Sequence, residues 1–150
     1  MTGAAEIAAG VCAAVNLAAG LVGGWAWWRG TSGAAGRMFW PLCRTGQIAA
    51  GCLAVLAGVA ILTGYDAPNS LLYLYLVLPI VVSVIAEQLR LASAQTILDQ
   101  RGLETAQAME GLPEAEQRSI VLAIVGREIG ILALAAFVIA FLALRVLGTV

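Results

Sequence analysis

Four charged side chains stand at the ends of two long apolar runs, and their spacing is the first chemistry this chain offers. Arg127 and Glu128 interrupt the stretch IVGREIGILALAAF, and Glu87 and Arg90 follow the run LLYLYLVLPIVVSVIA. Sixteen uncharged residues occupy 129–144, and sixteen occupy 71–86. Taken as antiparallel helices, the two runs bring both charged pairs to one depth. Sixteen helical residues rise about 24 Å, so that depth is the edge of a hydrocarbon layer about 30 Å thick, not its midplane. Arg44 and Gln47, and Arg29, approach the same level from the first half of the chain. One chemistry for Glu87, Arg90, Arg127, Glu128, Arg44 and Gln47 is a charged collar around a mouth, in which Glu87 pairs with Arg127 or Arg90 with Glu128. Such a collar binds an ion, a headgroup or a partner. The other is a clamp that fixes the register of two helices. The clamp weighs more, because the functional warrant for intramembrane charges weakens toward the interface. Neighbours 127 and 128 diverge by about 100° on a helix, so they do not chiefly serve each other.

Asn16 is the other polar candidate, near the middle of the uncharged run 7–28. At steps of four it shares a face with Cys12, Gly20 and Gly24, and Gly20-x-x-x-Gly24 is a small-residue helix-association pattern. An amide in lipid must find partners. Interhelical bonding, including across a dimer, is the expected role, and a substrate contact is the sharper alternative. Gly126-x-x-x-Gly130 repeats the pattern beside the charged pair, although glycine and alanine are abundant throughout.

Catalysis has little to work with. There is no His among the 150 residues, which removes the commonest metal ligand and general base. Cys12, Cys43 and Cys52 form no C-x-x-C pair and suit small buried hydrophobes. No nucleophile motif, paired aspartates, phosphate loop or basic nucleic-acid stripe is present. The acids of LETAQAMEGLPEAEQ read as a solvated face, and Glu6 as a solvated first-turn acid. The chain is expected to be no enzyme, to hold no metal or cofactor and to bind no nucleic acid.

The elements that position these residues follow from composition. Hydrophobic residues make up 61% of the chain and charged ones 11%, against about 25% charged in soluble domains. A short chain exposes much of its surface, so lipid is the expected solvent. Four apolar segments, 7–28, 48–62, 71–86 and 129–144, predict an all-α, four-helix transmembrane bundle in a single domain. The expected spans are about 5–28, 44–64, 70–90 with helix continuing to about 101, and 113–147 with its membrane part at 127–147. MTGAAE lacks the basic residues of a signal peptide.

All eight basic residues are arginines, and seven of them fall on or beside the two connections after the first and third spans; only Arg145 lies on the other side. The positive-inside rule therefore places both connections in the cytoplasm and both termini outside, in a plasma membrane. Trp25, Trp27, Trp28 and Trp40 mark the inner boundary, and Tyr65, Tyr73 and Tyr75 the outer one. Pro68, Asn69 and Ser70 end the outer turn, with Asn69 or Ser70 as helix cap. Pro113 suits a helix start, Glu114 and Glu116 its dipole, and Glu114–Arg118 an i,i+4 pair. The third and fourth helices outrun the bilayer and predict a cytoplasmic hairpin, with Leu89, Ala92, Thr96 and Leu103 facing Ile120 and Ile124.

These features favour a non-enzymatic membrane module that assembles with itself or serves as accessory subunit of a larger membrane complex. The alternative is a small oligomeric transporter or channel, with an ion or solute passing Asn16 toward the charged collar. Lipid bilayer and a homo-oligomeric or membrane-protein partner are the partners expected.

Overall fold

The computed structural model describes residues 2–67 and 69–149; the expected turn residue Pro68 lies outside the described residues. Four α-helices carry nearly all of the chain: α1 (Thr2–Arg29), α2 (Ala34–Leu62), α3 (Leu71–Gln100) and α4 (Glu114–Leu147). All four are long and apolar enough to cross a membrane. They form a bundle in which α1 packs on α2 and α4, and α3 packs on α2 and α4, with a short diagonal contact between α2 and α4.

One spacing rule governs the interior. The buried positions include Ala5, Ala9, Cys12, Asn16, Ala19, Gly23 and Ala26 on α1, with Ala13 and Gly20 beside them, and are Gly36, Phe39, Cys43, Gly46, Ala50, Leu53, Ala57 and Ala60 on α2. On α3 they include Leu72, Leu76, Pro79, Ser83, Ala86, Ser93 and Ile97, and on α4 Ile129, Leu132, Ala136, Ile139, Ala143 and Val146. Steps of three and four alternate along every helix, with half-buried Arg90 filling the position between Ala86 and Ser93. This 3.5-residue period is that of left-handed, coiled-coil-like packing. Most of the seam residues are small, which permits close approach between backbones where apolar burial gives no advantage over lipid.

The seam corrects two expectations. Steps of four advance about 400° and so drift by about 40° each. Over the three steps from Cys12 to Gly24 the face turns away by about 120°, which leaves Gly24 half-buried on the outside and brings Gly23 inside. In the hairpin region the buried residues of α3 are Ser93, Ile97 and Leu98, whereas Leu89, Ala92 and Thr96 are exposed. Leu103, Ile120 and Ile124 do meet there, with Met109 and Leu112.

The helix ends have local causes. Gly64 and Gly102 adopt φ of +66° and +72°, the left-handed conformation that glycine takes at low cost after a helix. The following N–H groups of Tyr65 and Leu103 then reach back to the carbonyls of Ala60 and Leu98 at 3.0 Å. Asn69 caps α3, its side-chain oxygen accepting from the Leu71 N–H at 3.0 Å. Glu114 and Glu116 occupy the first turn of α4 after Pro113. A 3₁₀ turn, Ala106–Gly111, lies in the α3–α4 connection.

The largest departure from expectation is the start of α2, ten residues before 44. Arg37 and Arg44 therefore lie on the helix, and the connection from α1 shrinks to four residues, 30–33. Helix continues through Pro41 and Pro79, where Thr45 and Ser83 donate their hydroxyls to the proline carbonyls.

Candidate functional site

Glu87 is the hub of a polar network joining α2, α3 and α4. It follows the seam residue Ala86 and so faces α2. One carboxylate oxygen accepts from Arg44 Nη1 and from Gln47 Nε2, both at 2.7 Å. The other accepts from Arg90 Nε at 2.8 Å. Arg44 also donates to Gln47 Oε1 at 2.6 Å, which holds the amide in the orientation that Glu87 uses. Arg90 reaches across to α4, where Nη1 lies 3.4 Å from Glu128 Oε1. The side chains of Glu87, Arg90 and Glu128 are 25%, 21% and 13% exposed, so the network is largely but not fully enclosed.

Five of the six expected residues are therefore brought together. Arg90–Glu128 pair as anticipated from the count of uncharged residues. The Glu87–Arg127 alternative does not form: the three ion pairs among the described residues are Arg44–Glu87, Arg90–Glu87 and Arg90–Glu128. The cause is the helical turn itself. With Glu128 turned toward α3, Arg127 points to the α1 side, where it borders two cavities together with Trp27. Glu114–Arg118 is likewise not among those pairs, and Arg29 sits over the Trp25 ring at 4.8 Å.

Asn16 is 2% exposed and bonded within its own chain. Its amide nitrogen donates to the Cys12 carbonyl at 2.9 Å and across to the Gly46 carbonyl of α2 at 3.1 Å. Gly46 is required by this approach, because a Cβ there would lie 2.6 Å from Asn16 Oδ1. Gly20 meets the Phe137 ring of α4, and Gly23 sits between Phe39 and Ala133, where a Cβ would come within 2.8 Å of both. Gly23 and Gly46 are the packing residues that steps of four miss.

Gly46 and Gln47 are consecutive, so Asn16 and Glu87 grip adjoining sides of one turn of α2. The short 30–33 connection sets Asn16 opposite Gly46, and the long side chains of Arg44, Gln47 and Glu87 bridge the remaining offset. The polar contacts are thus two sets that meet at this turn of α2: Asn16 on Gly46 between α1 and α2, and the Glu87 network from α2 through α3 to α4.

Between α2 and α3, a cavity of about 240 Å³ is lined by Gln47, Ser83, Glu87 and Gln88 with two aliphatic neighbours. On the opposite side, a cavity of about 530 Å³ lies in the α1–α4 groove, bounded by Gly24, Trp27, Gly130, Leu134, Phe137 and Arg127. Among the described residues no group of three or more His, Cys, Asp or Glu stands together as a metal site. Cys12 and Cys43 are buried and Cys52 is exposed. Comparison with protein-family models, with curated proteins and with solved structures returns no match.

Proposed function

We infer that the chain is a non-enzymatic integral membrane module, built to assemble with itself or as accessory subunit of a larger membrane complex. The observation that carries this reading is that these polar groups are answered within the chain. Arg44, Gln47, Glu87, Arg90 and Glu128 answer one another, and Asn16 answers Gly46. Groups engaged in this way act as a clamp, and a clamp suits a rigid scaffold. Because Asn16 and Gly20 are engaged inside the chain, contacts with a partner fall to other surfaces. These are the outward faces of the helices, where Gly51 and Gly58 of α2 are open, and the α3–α4 extension beyond Arg90 and Arg127.

The arginine distribution supports a sidedness in which that extension is a cytoplasmic hairpin and both termini face out of a plasma membrane. Reporter fusions at 105 and at the C-terminus test it: opposite locations are expected, and a cytoplasmic C-terminus overturns it.

For assembly, the measurement is native mass spectrometry of protein extracted in mild detergent. A defined oligomer or a stoichiometric membrane-protein partner is the expected result. A strictly monomeric particle without a partner removes the reading. The cavity beside Gln47, Ser83 and Glu87 favours a second reading, a small transporter or channel with the carboxylate at its mouth. That reading predicts flux through purified protein in liposomes, lost in Asn16→Leu and Glu87→Gln proteins that stay folded.

A further inference from the structure

The two cavities that share Trp27 and Arg127 form one continuous feature on the α1–α4 face. The inner part, about 530 Å³, is walled by Trp27, Leu134 and Phe137, and its depth comes from the missing side chains of Gly24 and Gly130. A Cβ on Gly24 would meet nothing within 4 Å, so this glycine faces open groove and no neighbouring helix. The adjoining part, about 460 Å³, changes character: Thr31 and Ser32 bring hydroxyls, and Arg127 borders it from the other side. These hydroxyl residues are separated from α2 only by its N-cap Gly33, and the helix start has neither a capping side chain nor an acid in its first turn.

Arg127, like Arg29 and Arg37, stands outside the network, and of these three it is the one that borders the groove. It makes no ion pair among the described residues, while Arg44 and Arg90 hold carboxylates and Arg29 lies over Trp25. A guanidinium above an apolar groove at a membrane boundary is complementary to one kind of ligand. The ligand carries an anionic oxygen-rich head and a hydrocarbon tail. We propose that the α1–α4 groove is a binding site for an anionic phospholipid, with its phosphate on Arg127 beside Thr31 and Ser32 and an acyl chain along Gly24, Gly130 and Phe137.

A second copy of the chain fits this groove less well. It would have to bury Arg127 against a partner that offers a carboxylate at the same depth. Glu87 and Glu128 are already engaged. Glu6 and Asp66 belong to the tyrosine end, and the other acids lie at or beyond Asp99, toward or within the α3–α4 connection. Basic pockets between transmembrane helices recognise acidic headgroups through this same guanidinium chemistry. The inference rests on the chain's residence in a bilayer and not on what the module assembles with.

The test is lipid retention by the full chain, read by native mass spectrometry from micelles doped with phosphatidylglycerol or phosphatidylcholine, with inorganic phosphate as a third arm. Phosphatidylglycerol is expected to be retained about five-fold over phosphatidylcholine, the factor that one basic residue contributes near acidic headgroups. Arg127→Gln should abolish that preference, Arg127→Lys should keep most of it, and Gly24→Leu, which fills open groove, should weaken both lipids. Equal retention of the two lipids by the wild type overturns the proposal. So does a preference unchanged in both Arg127→Gln and Gly24→Leu, or displacement of the lipid by millimolar phosphate, which would mark a bare anion site. A dimer that lipid fails to compete with, and that Gly24→Leu dissociates, assigns the groove to a second copy and overturns it as well.

Discussion

The two sides of α4 treat adjacent charges in opposite ways. Toward α3, Glu128 meets Arg90, which meets Glu87, and the carboxylate of Glu87 is filled by three donors. Toward α1, Arg127 opens onto a groove walled by aromatic and aliphatic groups. One peptide bond separates a charge that holds the bundle together from one that is left available. The difference shows that depth alone does not decide what an interfacial charge does. The rotation of about 100° between neighbours decides which helix answers it.

That contrast yields a graded set of expectations, all read as detergent-solubilised unfolding by heat or SDS. Packing inside and outside the seam should differ most. Gly23→Leu forces a side chain into the Phe39–Ala133 contact, and overpacking of this kind costs about 1–3 kcal/mol or more; Gly24→Leu, one residue on, should leave stability unchanged. If the two behave alike, the 3.5-residue seam is misplaced.

The charges come next. Glu87→Leu removes the acceptor of three hydrogen bonds and should cost about 1–3 kcal/mol, whereas Arg127→Leu should stay within about 0.5 kcal/mol, as for surface changes generally. Equal losses would erase the distinction between the two sides of α4. A double-mutant cycle sharpens it further: charge exchange at Arg90 and Glu128 should show coupling of at least about 0.5 kcal/mol, and the same exchange at Glu87 and Arg127 should show none. The smallest effect belongs to Asn16→Leu, nearly isosteric, for which loss of an interhelical hydrogen bond in lipid averages about 0.6 kcal/mol. A loss several times larger would mean that Asn16 also supports the network around Glu87 and not only the α1–α2 contact.

Much of the architecture was legible from hydropathy. Four helices and the common level of Glu87, Arg90 and Glu128 follow from counting uncharged residues between charges, and Pro113 marks the start of α4; the count left Glu87–Arg127 and Arg90–Glu128 both open. Four things were not legible, for identifiable reasons. The first ten residues of α2 carry Arg37 and Pro41, which lower the apolar signal without stopping the helix. The α3 seam runs through Ser83, Ala86, Arg90 and Ser93, residues that carry little hydrophobic weight, so reading the larger side chains shifts the face by one position. Gly23 and Gly46 look like any of the 17 glycines, because what distinguishes them is the atom on the neighbouring helix. The side on which Arg127 emerges needed the rotation of α4, which apolar periodicity fixes poorly in a helix that is hydrophobic all round.

The unequal lengths of the uncharged runs carry a consequence for the surrounding membrane. The first helix presents twenty-two uncharged residues, 7–28, but the third and fourth present sixteen each, or about 33 Å against about 24 Å if all stood upright. A bilayer of one thickness matches only one of these. Lipid next to α3 and α4 must thin while α1 tilts or draws its own annulus thicker, at a fraction of a kcal/mol per Å of mismatch. The chain is thus a wedge in thickness. Copies that brought their thin sides together would relieve the deformation they share, so mismatch of this kind would favour clustering and residence in thinner membranes.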